Sequence, residues 1–125
     1  MSAQRTIILL ATSAVLMLSG TASVLAHAHL VRATPAAGGT VQTPPSEVTL
    51  HFNEKLEVRF SSVVVRDSTG KQVDKGDGTV DKSDRTLMRV QLQQPVAQGV
   101  YRVEWKVMSA DTHKVDGSFT FKVGE

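Results

Sequence analysis

Asp111 and His113 stand two residues apart in Ala110-Asp111-Thr112-His113, between two stretches that alternate apolar and polar residues. In extended backbone, side chains at i and i+2 point the same way, so this carboxylate and imidazole would converge on one point. By itself an Asp-x-His pair in a hairpin connection is ordinary solvated polarity; a third group changes what it can do. His27 supplies one if the chain is cut after Ala26. A free N-terminal histidine offers its α-amine and ring Nδ1 as a two-nitrogen chelate. Neither group holds its proton so tightly that a strongly bound cation cannot displace it. Joined to Asp111 and His113, the set becomes three nitrogens and one oxygen. Tetragonal Cu(II) or Ni(II) prefers such donors, with Cu(II) ahead in the Irving–Williams order. The single carboxylate leaves a divalent ion with a net charge of about +1, which favours Cu(II) over Cu(I).

The chelate depends on the cut, and the first residues read as a leader. Arg5 is the positive start, 7–18 is an apolar run broken only by Thr12 and Ser13, and Val24-Leu25-Ala26 ends a small-residue region. That is signal-peptide architecture, too short and wrongly flanked for a membrane anchor. A second small-x-small position, Ala26-His27-Ala28, would place the cut after Ala28, delete His27 and leave His29 at the terminus. The reading taken is a cleaved leader over 1–26 and one small domain over 27–125, exported and without a membrane-inserted segment. The 125-residue chain has no cysteine, which excludes thiolate nucleophiles, thiol redox and Cys-based zinc sites. Core burial has to hold the domain, helped by a bound ligand or metal. Lys and Arg number 14 against 12 Asp and Glu and are interleaved with them, which is no nucleic-acid footprint.

The elements that must carry these residues read as strands. Val100 to Val107 alternates with Val103, Trp105 and Val107 on one face, and Gly117 to Val123 with Phe119, Phe121 and Val123 inward. Leu30 to Ala33 forms a short edge strand before Pro35. Glu47 to Asn53 places Val48, Leu50 and Phe52 inward and His51 toward solvent. Val58 to Arg66 is β-rich, and Asp67-Ser68-Thr69-Gly70 turns the chain into Lys71-Gln72-Val73. Residues 74–86 carry Asp74, Asp77, Asp81 and Asp84 at spacings that fail the calcium-loop pattern, so a mobile, solvated hairpin is expected. Thr86 to Leu92 is a further strand, and no amphipathic helix follows residue 26. The fold class is all-β, a Greek-key sandwich or barrel of about seven strands with Trp105 in its core.

At these residues the chain resembles the copper resistance protein C (CopC) family. The resemblance rests on His27-Ala28-His29-Leu30-Val31, Thr34-Pro35-Ala36, Leu50-His51-Phe52-Asn53-Glu54, Gly99 to Trp105, and Ser109-Ala110-Asp111-Thr112-His113 through Gly117. It implies a periplasmic Greek-key sandwich, immunoglobulin-like or cupredoxin-like, that is not an enzyme. It also implies one Cu(II) per chain, held by His27, Asp111 and His113. Some members add a methionine-rich loop that binds Cu(I); here only Met88 and Met108 follow the leader, far apart, so a Cu(II)-only member is expected. Glu54 is not expected to be a ligand. His29 completes the amine–amide–amide–imidazole pattern of a different chelate, but that needs deprotonated amides and a loose terminus, so a supporting place is expected instead. The implied role is copper buffering, resistance or delivery to an inner-membrane copper transport protein. Two other classes compete: a histidine-brace copper oxygenase, and a metal-free sandwich module, since fold alone does not decide function. Against the oxygenase stand the Asp111 carboxylate, which disfavours Cu(I), and the lack of an aromatic platform.

Overall fold

The computed structural model describes residues 28–124. The strands are β1 (Leu30–Thr34), β2 (Thr40–Val41), β3 (Glu47–Phe52), β4 (Ser62–Arg66), β5 (Thr79–Val80), β6 (Leu87–Gln91), β7 (Gly99–Met108) and β8 (Lys114–Val123). They form two four-stranded sheets, in the orders β1-β3-β6-β5 and β2-β8-β7-β4. The chain passes repeatedly between the sheets, so β3 pairs with β6 rather than with its sequence neighbour, as Greek-key wiring requires. All named pairs are antiparallel except β2, whose two residues lie parallel to the end of β8.

The core follows from the alternation. Val48, Leu50 and Phe52 are buried, and so are Tyr101, Val103, Trp105 and Val107 along β7. His51 points the other way on β3 and is half-buried, as its position in the alternation demands. Trp105 is wedged between Phe52, edge-to-face at 6.1 Å, and Phe119 at 5.9 Å. Its cross-strand partner is Gly117. A Cβ there would lie 2.3 Å from the indole Cζ2, so only glycine lets the ring cover the strand. At the other end of β7 the Tyr101 hydroxyl donates to the Ala97 carbonyl at 2.6 Å, the back-bond by which sandwich folds tie a corner.

Two expectations need correction. The apolar stretch at Val58 is not strand throughout: Val58–Phe60 is one 3-10 turn with no buried residue, and β4 begins only at Ser62. Residues 74–86 are not a mobile hairpin. Asp74 is 2% exposed, and its carboxylate accepts the Val65 amide at 2.8 Å, the Gly76 amide at 2.8 Å and the Gln72 side chain at 3.0 Å. Val80 on β5 is buried against β6. Asp77 reaches across to accept the Gln91 amide, and Asp81 and Asp84 are local turn-formers, Asp81 accepting the Ser83 and Asp84 amides and Asp84 the Thr86 amide. Their oxygens are taken up by these amides, by the Ser83 and Thr86 hydroxyls and by Arg89, the usual use of Asp in turns.

Candidate metal centre

The centre is built on the tip of the longest hairpin. β7 and β8 run in continuous register from Gly99↔Val123 to Met108↔Lys114. The tip is closed by the Ser109 amide donating to the His113 carbonyl at 2.9 Å and the Thr112 amide donating to the Ser109 carbonyl at 2.8 Å. This is a three-residue loop: a turn through Ala110 and Asp111, then a left-handed residue, Thr112, at φ 74°. Asp111 and His113 therefore do converge, but through a turn and not through extended alternation. The Asp111 Oδ2 lies 3.1 Å from His113 Nδ1. A β-branched residue in the left-handed region costs about 1–2 kcal/mol, so the surroundings must hold this turn in place.

Several contacts hold it. The Ala110 amide donates to the Lys55 carbonyl at 2.9 Å, and Leu56 bridges to Ser109. The Glu57 amide donates to the Met108 carbonyl at 2.8 Å. Arg85 straps the same segment, donating through Nε and Nη2 to the Leu56 carbonyl at 3.2 and 2.9 Å. Ser109 is wholly buried beneath the loop, and its hydroxyl donates to Asp111 Oδ1. First that hydroxyl, then His113, holds the Asp111 carboxyl below the usual carboxylate range, so the group stays ionised well into acid. Ser109 belongs to the Ser109-Ala110-Asp111-Thr112-His113 motif, and the sequence signal for its part is a hydroxyl two residues ahead of the carboxylate, the spacing of a local side-chain turn.

The first described residues arrive at the same end. Leu30 pairs with Phe52 at the end of β3, and Ala28 is fully buried in the core. Asn53 brackets His29, accepting the His29 amide on its side-chain oxygen at 2.8 Å and donating its own amide to the His29 carbonyl at 3.1 Å. Lys55, whose carbonyl anchors Ala110, comes two residues later. His27 lies outside the described residues, as does the leader expected over 1–26. Among the described residues, no group of three or more His, Cys, Asp or Glu side chains is arranged to hold a metal. Glu54 and His29 thus do not complete a trio with Asp111 and His113. Met88 is core, and Met108 flanks the turn without a second methionine beside it in sequence.

The CopC domain model matches residues 30–124. The chain belongs to the CopC family. Among solved structures, CopC from Methylosinus trichosporium OB3b is 34% identical with a TM-score of 0.68, over 78% of this chain and 93% of that one. PcoC, a methionine-rich copper resistance protein from Escherichia coli, is 31% identical with a TM-score of 0.68, over 78% and 99%. The copper transport protein CutJ of Bacillus subtilis is 34% identical over 100 residues. That match takes in 80% of this chain but 18% of CutJ, so this member of the CopC family spans under a fifth of that relative. The family's all-β sandwich is the fold seen here, and among the described residues Met88 and Met108 are the two methionines set against the methionine-rich character of PcoC.

Proposed function

We propose that this protein is an exported, periplasmic Cu(II)-binding protein that buffers copper or hands it to an inner-membrane copper transport protein, and that it binds without catalysing a reaction. The ligands are the amine and imidazole of His27, freed by cleavage after Ala26, with Asp111 and His113. The observation that carries this reading is the 3.1 Å separation of Asp111 Oδ2 and His113 Nδ1 on a braced turn. Nitrogen and oxygen donors about 2.0–2.2 Å from one ion, at right angles, stand about 3 Å apart. The two atoms are therefore spaced as neighbouring donors of a tetragonal ion. The named relatives support the copper assignment, and CutJ supports the delivery role, because there the matched region and the rest of a copper transport protein share one chain.

The test is Cu(II) titration of exported protein whose first residue is established by intact mass and N-terminal sequencing. One Cu(II) per chain should bind, with nitrogen coupling in its EPR spectrum. His113→Ala should cost orders of magnitude in affinity and His51→Ala almost nothing. A form retaining residues ahead of His27 should fold and lose most of its affinity, since its amine has become an amide. Equal effects of the two substitutions, a chain beginning at His29, or undiminished binding by the extended form would each overturn the assignment.

A further inference from the structure

The contacts beneath the turn assign a part to Ser109 that donor chemistry alone does not reveal. Its hydroxyl is wholly enclosed, and the oxygen it reaches is Asp111 Oδ1, which also accepts the His113 backbone amide at 3.5 Å and is not the oxygen beside the His113 ring. The other oxygen, Oδ2, is the one beside His113 Nδ1. A carboxylate on a surface turn otherwise rotates broadly about its last torsion, because an sp³–sp² torsion has no sharp wells. We infer that Ser109 is a positioning residue: it fixes the Asp111 carboxylate so that a single oxygen, Oδ2, is offered to the copper ion alongside His113. This rests on the Cu(II) site proposed above and goes beyond it by naming the group that fixes how Asp111 binds.

Replacing Ser109 by alanine separates this role from a scaffolding one. The bond that closes the turn runs from the Ser109 amide to the His113 carbonyl and does not need the hydroxyl. The hydroxyl's second contact, to that same carbonyl at 3.3 Å, is redundant with it. Alanine leaves a space smaller than a methyl group and keeps the fold. Loss of a hydrogen bond to a metal ligand typically costs 10–100-fold in affinity, and Ser109→Ala should weaken Cu(II) binding by about that factor.

The experiment is a double-mutant cycle on protein with the native N-terminus, comparing Ser109→Ala in the wild-type chain and in Asp111→Ala. It reads Cu(II) dissociation constants by competition, EPR parameters, and thermal unfolding without metal. A positioning role predicts the full loss in the wild-type background and less than about threefold in Asp111→Ala, where no carboxylate is left to position. It also predicts an altered EPR spectrum for copper-loaded Ser109→Ala. An unchanged constant and spectrum, or an equal loss in both backgrounds, would overturn the inference. Failure of the wild-type chain to bind Cu(II) would instead overturn the function proposed above, and the part given to Ser109 with it.

Discussion

Gly117→Ala puts one methyl group where the fold has no room for it. The new Cβ would lie 2.3, 2.7 and 3.1 Å from three indole carbons of Trp105. Carbon atoms are comfortable at about 3.5–4.0 Å, so ring and strand would have to part by more than 1 Å. The ring cannot swing aside, because Phe52 and Phe119 hold its other sides. The strands cannot separate without breaking a register that continues on both sides of this pair. Overpacking of this kind costs about 1–3 kcal/mol. For a domain of this size, each kcal/mol lowers the midpoint by about 4–8 °C, so a fall of roughly 5–20 °C is expected. Thermal unfolding followed by circular dichroism, with and without Cu(II), measures it. Because the substitution lies well down the hairpin from the turn, copper affinity of the folded fraction should hardly change. Adding Trp105→Phe, whose smaller ring makes room, should cost less than the two single effects summed. A Gly117→Ala chain as stable as the wild type would refute the packing of the ring on the strand, and with it the account of what supports the ligand turn.

Four further outcomes are expected. His29→Ala should change Cu(II) affinity by less than about threefold, because the His29 amide that a terminal chelate needs is donating to Asn53; a tenfold loss in competition titrations would contradict this. Apparent Cu(II) affinity should fall steeply below about pH 6 as the imidazoles and the amine take up protons, and a constant affinity between pH 5 and 8 would exclude the nitrogen-rich donor set. Asp111 has its folded-state pKa depressed, so its contribution to stability and binding is complete above the usual carboxylate value near 3.9 and is lost only as pH falls further, toward the folded value. Asp74→Ala should cost about 3 kcal/mol in urea unfolding, since it strands the buried Val65 amide; a cost below 1 kcal/mol would return residues 74–86 to the status of a loose loop.

Much of the scaffold was legible because strand alternation writes burial directly into the sequence. Val48, Leu50 and Phe52, and the face of Trp105, are inward for that reason alone. What escaped was structure made by polar side chains. Nothing in the spelling of Asp74-Lys75-Gly76 distinguishes a solvated turn from a carboxylate turned inward onto Val65. The pairing of Asp111 with His113 was anticipated by a route the backbone does not take. The left-handed position of a three-residue loop normally carries Gly or Asn, and Thr112 hides it. Val41 was unreadable as a strand because two residues between turn-formers have no period; they gain one only by lying along β8. The carboxylate–imidazole pair was thus visible from residue types and spacing, whereas its support by Lys55 and Arg85 depends on contacts between segments distant in sequence.

The strand that follows His27, β1, and the β7–β8 turn belong to different sheets, and for the proposed centre this would give the domain a mechanical character. β1 is an edge strand held to β3 by the pairs from Leu30↔Phe52 to Thr34↔Thr49. A pull on the front of the chain meets the Leu30 pair first and peels the rest away one rung at a time, as a zip opens. With an ion joining His27 to Asp111 and His113, the same pull passes instead to the tip of β7 and β8. It then runs lengthwise along both strands, where the rungs from Ser62↔Lys106 to Arg66↔Arg102 must yield together. The cargo is then also a clasp, stiffening a body that has no covalent staple. With the proposed site filled, giving up the ion and loosening the front of the chain would be one event, and an acceptor that drew copper from the turn would also free the strand beside it.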